Sequence, residues 1–150
     1  MSALFRRALL LLALPVLAAP DFCADRAPLG QIALNECALH DAQDAEAALN
    51  RVYRQVLQRY ADQPHFLARL KAAQRLWLQW REAEMAMRYP PEDESAGLRG
   101  SGQDMCDWRY RRELTLARLK TLRHWLQGVP EGDFCAGSIK HQRDLVAPTH

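Results

Sequence analysis

Residues 65–88 read HFLARLKAAQRLWLQWREAEMAMR, and this stretch decides the fold. It holds no proline or glycine and is rich in residues that favour helix. Phe66, Leu70, Ala73, Trp77, Trp80, Glu84 and Met87 recur at alternating steps of four and three, the spacing of one helix face and of a seam between packed helices. Every member except Glu84 is apolar. A lone charge on a buried seam is expensive, so the spacing predicts an ion pair from Glu84 to an arginine. Arg81, Arg109, Arg112 and Arg118 are the candidates. Tyr89-Pro90-Pro91 stops the helix, because proline disfavours helical backbone in the residue before it.

Working outward, a helix is predicted on each side. From Gln31 to Ala61 there is again no proline or glycine, and Leu49, Val52, Tyr53, Val56, Leu57 and Tyr60 form one apolar face. Asp62-Gln63-Pro64 ends that helix. Downstream, residues 92–104 form a polar, glycine-rich loop. A third helix is predicted over 105–127, with Asp104 as its cap. Trp108, Leu114, Ala117, Leu122, Trp125 and Leu126 would supply its apolar side, and Gly128 and Pro130 would end it. No alternating strand pattern and no internal repeat is present. The expected fold is all-α: a small antiparallel three-helix bundle over 31–127, with an extended lead-in over 19–30 and an irregular tail over 128–150.

Residues 1–18 fall outside that core. Arg6 and Arg7 precede an apolar run, Pro15 and then small residues, the order of a secretory signal peptide with cleavage expected after Ala18. The apolar run is shorter than the roughly 20 residues a membrane span requires. Pro20, Asp21 and Phe22 before Cys23 do not fit the small-residue box of a lipid-anchored cysteine, so no membrane anchor is expected after cleavage. Removing the leader takes two arginines and no acid from a chain with 20 Lys+Arg and 18 Asp+Glu, leaving no net charge. A general basic field for nucleic acid is therefore excluded. Cys23, Cys37, Cys106 and Cys135 all follow the leader. An even count in an exported chain reads as two disulfides in an oxidising compartment, periplasmic or secreted. Either Cys37 pairs with Cys106, or Cys23 pairs with Cys37 and Cys106 with Cys135. The last pairing strains the reach of residues 128–135 back along the third helix.

Catalytic chemistry finds no footing. Glu82 and Glu84 are two apart on a helix and point to different faces, so they cannot flank one bond. His40, His65, His124, His141 and His150 have no metal-ligand spacing, and Ser95, Ser101 and Ser138 lack a nucleophile-elbow pattern. No cofactor, metal or catalytic residue is expected. Trp77 and Trp80, placed on the seam, read as core, and Gln74, Arg75 and Arg81 as polar contacts between helices. Glu92, Asp93 and Glu94 stand together in the loop and are the candidate partner-binding residues. An acidic loop of this kind would steer encounter with a basic partner surface.

Three segments carry a family resemblance. They are Asn35-Glu36-Cys37-Ala38 with Ala45-Glu46-Ala47-Ala48-Leu49-Asn50 and Tyr53; Leu70-Lys71-Ala72-Ala73-Gln74-Arg75-Leu76-Trp77-Leu78-Gln79-Trp80-Arg81-Glu82-Ala83-Glu84; and Leu114-Thr115 with Arg118 and Leu122. Over roughly 31–126 the chain resembles the LprI-like lysozyme-inhibitor family, whose domain is helical and found in bacterial envelopes. The family usually has a cysteine after the Ala-Glu pair, where Met85 stands here. The resemblance therefore implies that one family bridge, to a cysteine like Cys106, cannot form, with Cys135 as a substitute. Read from the residues themselves, Gln74, Arg81, Glu84 and Arg118 are expected to serve as structural polar contacts between helices. The resemblance also implies an exported binding protein that occludes a lysozyme. An envelope accessory or stress-response domain with a different protein partner is the alternative.

Overall fold

The computed structural model describes residues 23–90 and 100–146. The leader reading and the acidic run Glu92, Asp93 and Glu94 lie outside the described residues. Three long helices run α1 Gln31–Arg59, α2 Pro64–Arg88 and α3 Gln103–Gln127, followed by a short α4 Gln142–Val146. The fold is the expected all-α bundle. Asn35 on α1 donates to the Ser101 carbonyl just before α3, and Tyr60 after α1 donates to the Trp125 carbonyl late in α3. The two helices are therefore parallel, and α2 returns between them. We call the end where α1 and α3 begin the head, and the opposite end the base.

Side-chain size sets the spacing of the helices. The head half of α1 buries Cys37, Ala38, Ala42 and Ala45. Such small residues let backbones approach, and α1 and α3 lie within 8 Å between Cα atoms over much of their length. The face of α2 turned inward carries Phe66, Leu70, Gln74, Arg81 and Met85, which hold it further off. The large apolar core sits toward the base: Leu49, Val52, Val56, Phe66, Leu70, Leu119 and Leu122 around the fully buried Tyr60. Phe66 stacks at 4.4 Å from Tyr60 and 4.8 Å from Trp125, aromatic contacts that add to simple burial.

The phase of α2 differs from the seam read in the sequence. Gln74, Arg81 and Met85 are buried, whereas Ala73, Trp80 and Met87 are exposed. Toward the head, the buried set is displaced by one residue, about 100° of rotation. The cause is Arg81, buried in the middle of the bundle. Its Nη1 donates to Glu46 Oε2 of α1 at 2.6 Å and to Thr115 Oγ1 of α3 at 3.1 Å. Its guanidinium also lies 4.9 Å from the Trp77 ring. Among the described residues no arginine pairs with Glu84: half-buried, it accepts the Tyr110 hydroxyl at 2.7 Å. On α3, Thr115, Leu119 and Leu122 are the buried residues, while Ala117 is exposed. Asp104 lies in the first turn of α3 rather than at its cap, which is Gly102, and there its charge favours the positive end of the helix dipole.

Both ends are tied. Cys23 and Cys37 form a disulfide with Cα atoms 5.5 Å apart, and Arg26 donates from Nη2 to both Asp41 carboxylate oxygens at 2.9 and 3.0 Å. The lead-in is thereby fixed to α1. Cys106 and Cys135 are exposed and unbridged, one at each end of α3, so the expected second disulfide is absent among the described residues. At the base the tail is not merely irregular. Val129 N–H donates to the Lys140 carbonyl and Gln142 N–H to the Val129 carbonyl. Lys140 N–H donates to the Tyr60 hydroxyl, Lys140 Nζ reaches Asp62 at 2.9 Å, and Arg59 donates to the Leu145 carbonyl. Prolines and glycines forecast turns in this segment, while its anchoring to Tyr60 and Arg59 is a long-range effect.

Two outcomes are expected. Glu46→Ala removes the closer of the two carboxylates on the buried Arg81 cation and leaves only Glu82 at 3.3 Å, so it costs about 2–3 kcal/mol in chemical denaturation. Arg81→Met keeps the side-chain volume and leaves Glu46, which already reaches water, so it costs less; the reverse order would refute the role given to Arg81. Gly128 sits at φ 69° and ψ 179°, a region essentially reserved for glycine. A Cβ there would stand 2.6 Å from Leu145 Cδ1 and 2.9 Å from the Lys140 carbonyl. Gly128→Ala should release the tail to limited proteolysis while α1 to α3 keep their helical circular dichroism.

Candidate protein-binding site

The head is built from the carboxyl end of α2 and the first turns of α3. Between them lies an open cleft of about 310 Å³, lined by Glu82, Met85, Tyr89, Asp107, Trp108 and Arg111 among others. Arg111 donates from Nη1 and Nη2 to the two oxygens of Glu82 at 2.7 and 2.8 Å. That forked contact, reinforced by Arg81, holds the Glu82 carboxyl below the usual carboxylate range, and Glu82 in turn raises the Arg111 guanidinium. On the neighbouring face Arg88 lies 4.0 Å from the Tyr110 ring. The Tyr110 hydroxyl is pushed above its ordinary value, chiefly by its hydrogen bond to Glu84. These contacts fix side chains in place without bringing an acid and a base together over a cavity.

The charge of the molecule is segregated along the bundle axis. Residues 23–46, 81–90 and 100–115, which form the head half, carry ten Asp and Glu against six Arg and no Lys. Residues 47–80 and 116–146, the base half, carry eleven Lys and Arg against four acids. The bundle is thus acid-rich at one end and basic at the other. The sequence held this signal, but it emerges only once the up-down-up order of the helices folds distant segments onto the same end. Glu92, Asp93 and Glu94 fall between α2 and α3 in the sequence, outside the described residues.

The remaining candidates fall into place around the middle layer. Gln74 is buried and accepts from Arg118 Nε at 3.0 Å through its side-chain oxygen. Burial lowers the Arg118 guanidinium. Trp77 lies between two guanidiniums, with Arg118 5.8 Å from its ring on α3 and Arg81 closer on α2. Arg75 is exposed. Glu82 and Glu84 diverge, one toward Arg111 and the other toward Tyr110. Among the described residues no group of His, Cys, Asp and Glu is arranged to hold a metal, and no helix is long and apolar enough to cross a membrane.

One surface is not legible in the sequence, because the seam spacing assigns Trp80 and Met87 to the core. Leu76, Trp80 and Met87 stand on the outer face of α2 with 65, 49 and 72 % of their surface exposed. They share the four-and-three spacing of the buried face, so hydrophobicity alone does not tell the two stripes apart.

Comparison with curated proteins and with solved structures finds no match. The sequence model of the family described as "Lysozyme inhibitor LprI" matches residues 23–122, two thirds of the chain, from the first cysteine of the disulfide to the last buried leucine of α3. The chain belongs to the LprI lysozyme-inhibitor family.

Proposed function

We propose that this protein is an exported lysozyme inhibitor that occludes its target by protein–protein contact, with the acid-rich head as the contact surface. The family assignment over residues 23–122 is the observation that carries this reading. The axial charge separation supports the choice of surface: a strongly basic enzyme approaching a bipolar molecule is turned toward the acid-rich end. Trp108 and Tyr89, half-buried beside Asp104 and Asp107, supply aromatic area of the kind that anchors interfaces. Glu92, Asp93 and Glu94, which follow α2 in the sequence, complete the proposed set of contact acids. Catalysis by this chain forms no part of the proposal, since occlusion requires shape and charge alone. Export fits it, because lysozymes act on cell walls outside the cytoplasm.

The test is a cell-wall clearing assay with the oxidised chain titrated against chicken-type and other lysozyme classes. Stoichiometric inhibition is expected, weakening as salt is raised. Neutralising Glu92, Asp93 and Glu94 together with Asp104 and Asp107 should weaken it by about tenfold, equivalent to roughly 1.4 kcal/mol. Inhibition unchanged in that variant would move the contact away from the head. No inhibition of any class by folded protein would overturn the function and favour an accessory role with another partner.

A further inference from the structure

Among the described residues the outer face of α2 has no partner, and its pattern is that of a helix-packing surface. Arg69, Ala73, Leu76, Trp80, Ala83 and Met87 follow one another at steps of four and three, and all are exposed. Ala72, Gln79 and Ala86 flank them along one side. On the other side stand Trp77, turned toward the core, and Glu84, which already accepts the Tyr110 hydroxyl. Over more than four turns this face carries one charged residue, Arg69, at its base end. Charge depletion with large apolar side chains is the composition of an interface centre rather than of a solvated face.

We propose that this face is the seat of a second copy of the chain, packed α2 against α2 in antiparallel orientation. The alanines at 72, 73, 83 and 86 let another helix come close, while Leu76, Trp80 and Met87 supply side chains to fill the spaces between copies. Orientation follows from Arg69. A parallel pair would set Arg69 against its own copy, whereas an antiparallel pair brings it to the carboxyl end of the partner's α2, the negative end of the helix dipole. Two-fold symmetry then makes one patch serve both sides. A basic lysozyme fits this face poorly, because the α2 carboxylates beside it, Glu82 and Glu84, are already bonded to Arg111 and Tyr110. The acid-rich heads project at opposite ends of the pair and remain open. This proposal does not depend on the inhibitor reading.

The experiment uses the exported chain with Cys106→Ser and Cys135→Ser, so that an intermolecular disulfide cannot produce the mass. Sedimentation velocity over a concentration series should show a reversible dimer, with twice the mass of the monomer. Ala83→Glu and Trp80→Glu, both at exposed positions, should keep the circular dichroism and melting temperature and run as monomers. Nitroxides placed at Gln79→Cys should be close across the pair, and those at Ala68→Cys roughly 30–40 Å apart at ~1.5 Å per residue; equal short distances at both would refute the antiparallel arrangement. A chain that stays monomeric at every concentration, or a dimer untouched by Ala83→Glu and Trp80→Glu, would overturn the proposal. So would a monomer whose lysozyme inhibition is lost in Ala83→Glu, which would make the stripe an enzyme seat.

Discussion

The rotation of α2 depends on one buried cation. Arg81 is 6 % exposed, and a guanidinium can be held there only if its charge is balanced and its N–H groups are bonded. Each helix contributes to that balance: Glu46 from α1, Trp77 from α2 itself, and Thr115 from α3. Thr115 in turn donates its hydroxyl proton back to the Arg111 carbonyl, so the layer closes on the backbone of α3. Residues one position apart on a helix point about 100° apart. With Arg81 directed inward, Trp80 is directed outward, and the apolar stripe on the far side of α2 follows from the same constraint that secures the inside.

This accounts for what the sequence disclosed and what it hid. Helix positions and their order were legible, because long stretches without proline or glycine, closed by Asp62-Gln63-Pro64 and Tyr89-Pro90, allow little else. The phase of α1 was legible too, since its buried set of Leu49, Val52, Val56 and Tyr60 is wholly apolar or aromatic. The phase of α2 was not. Its buried face includes Gln74 and Arg81, while its exposed face includes Trp80 and Met87, so a rule that places apolar residues inside selects the wrong stripe toward the head. Glu84 was rightly singled out as an acid in need of a partner, but a tyrosine hydroxyl supplies it. The tail failed differently. Pro130, Gly132 and Gly137 report local backbone freedom, whereas order there comes from Tyr60, whose hydroxyl donates to the Trp125 carbonyl and accepts from the Lys140 amide.

The candidate site was only partly visible for a related reason. The acids of the loop stand consecutively and were evident, whereas Asp104, Asp107 and Glu82 are scattered along the chain and become one surface only through the topology. The small net charge of the whole chain, +2, conceals their segregation. Covalent and ionic ties secure the head because packing there is thin. Alanines line α1 at that end, and they bury little area compared with the leucines and aromatics of the base. The Cys23–Cys37 bridge closes a loop of 14 residues, a constraint on the unfolded chain of about 3 kcal/mol in the loop-entropy account.

Rigidity at that end bears directly on the function assigned to it. An inhibitor that blocks an enzyme by contact loses affinity for every side chain or loop it must order on binding. Here the lead-in is clamped by a disulfide and a bidentate Arg26–Asp41 pair, the start of α3 is held to α1 through Asn35, and Glu82 is fixed by Arg111. The family match covers these elements and stops at residue 122, before the tail that braces the base. The matched region thus takes in the fixed head, the polar layer beneath it and the apolar core of the three helices, while the Tyr60-anchored tail lies beyond it and stabilises the end facing away from the proposed contact.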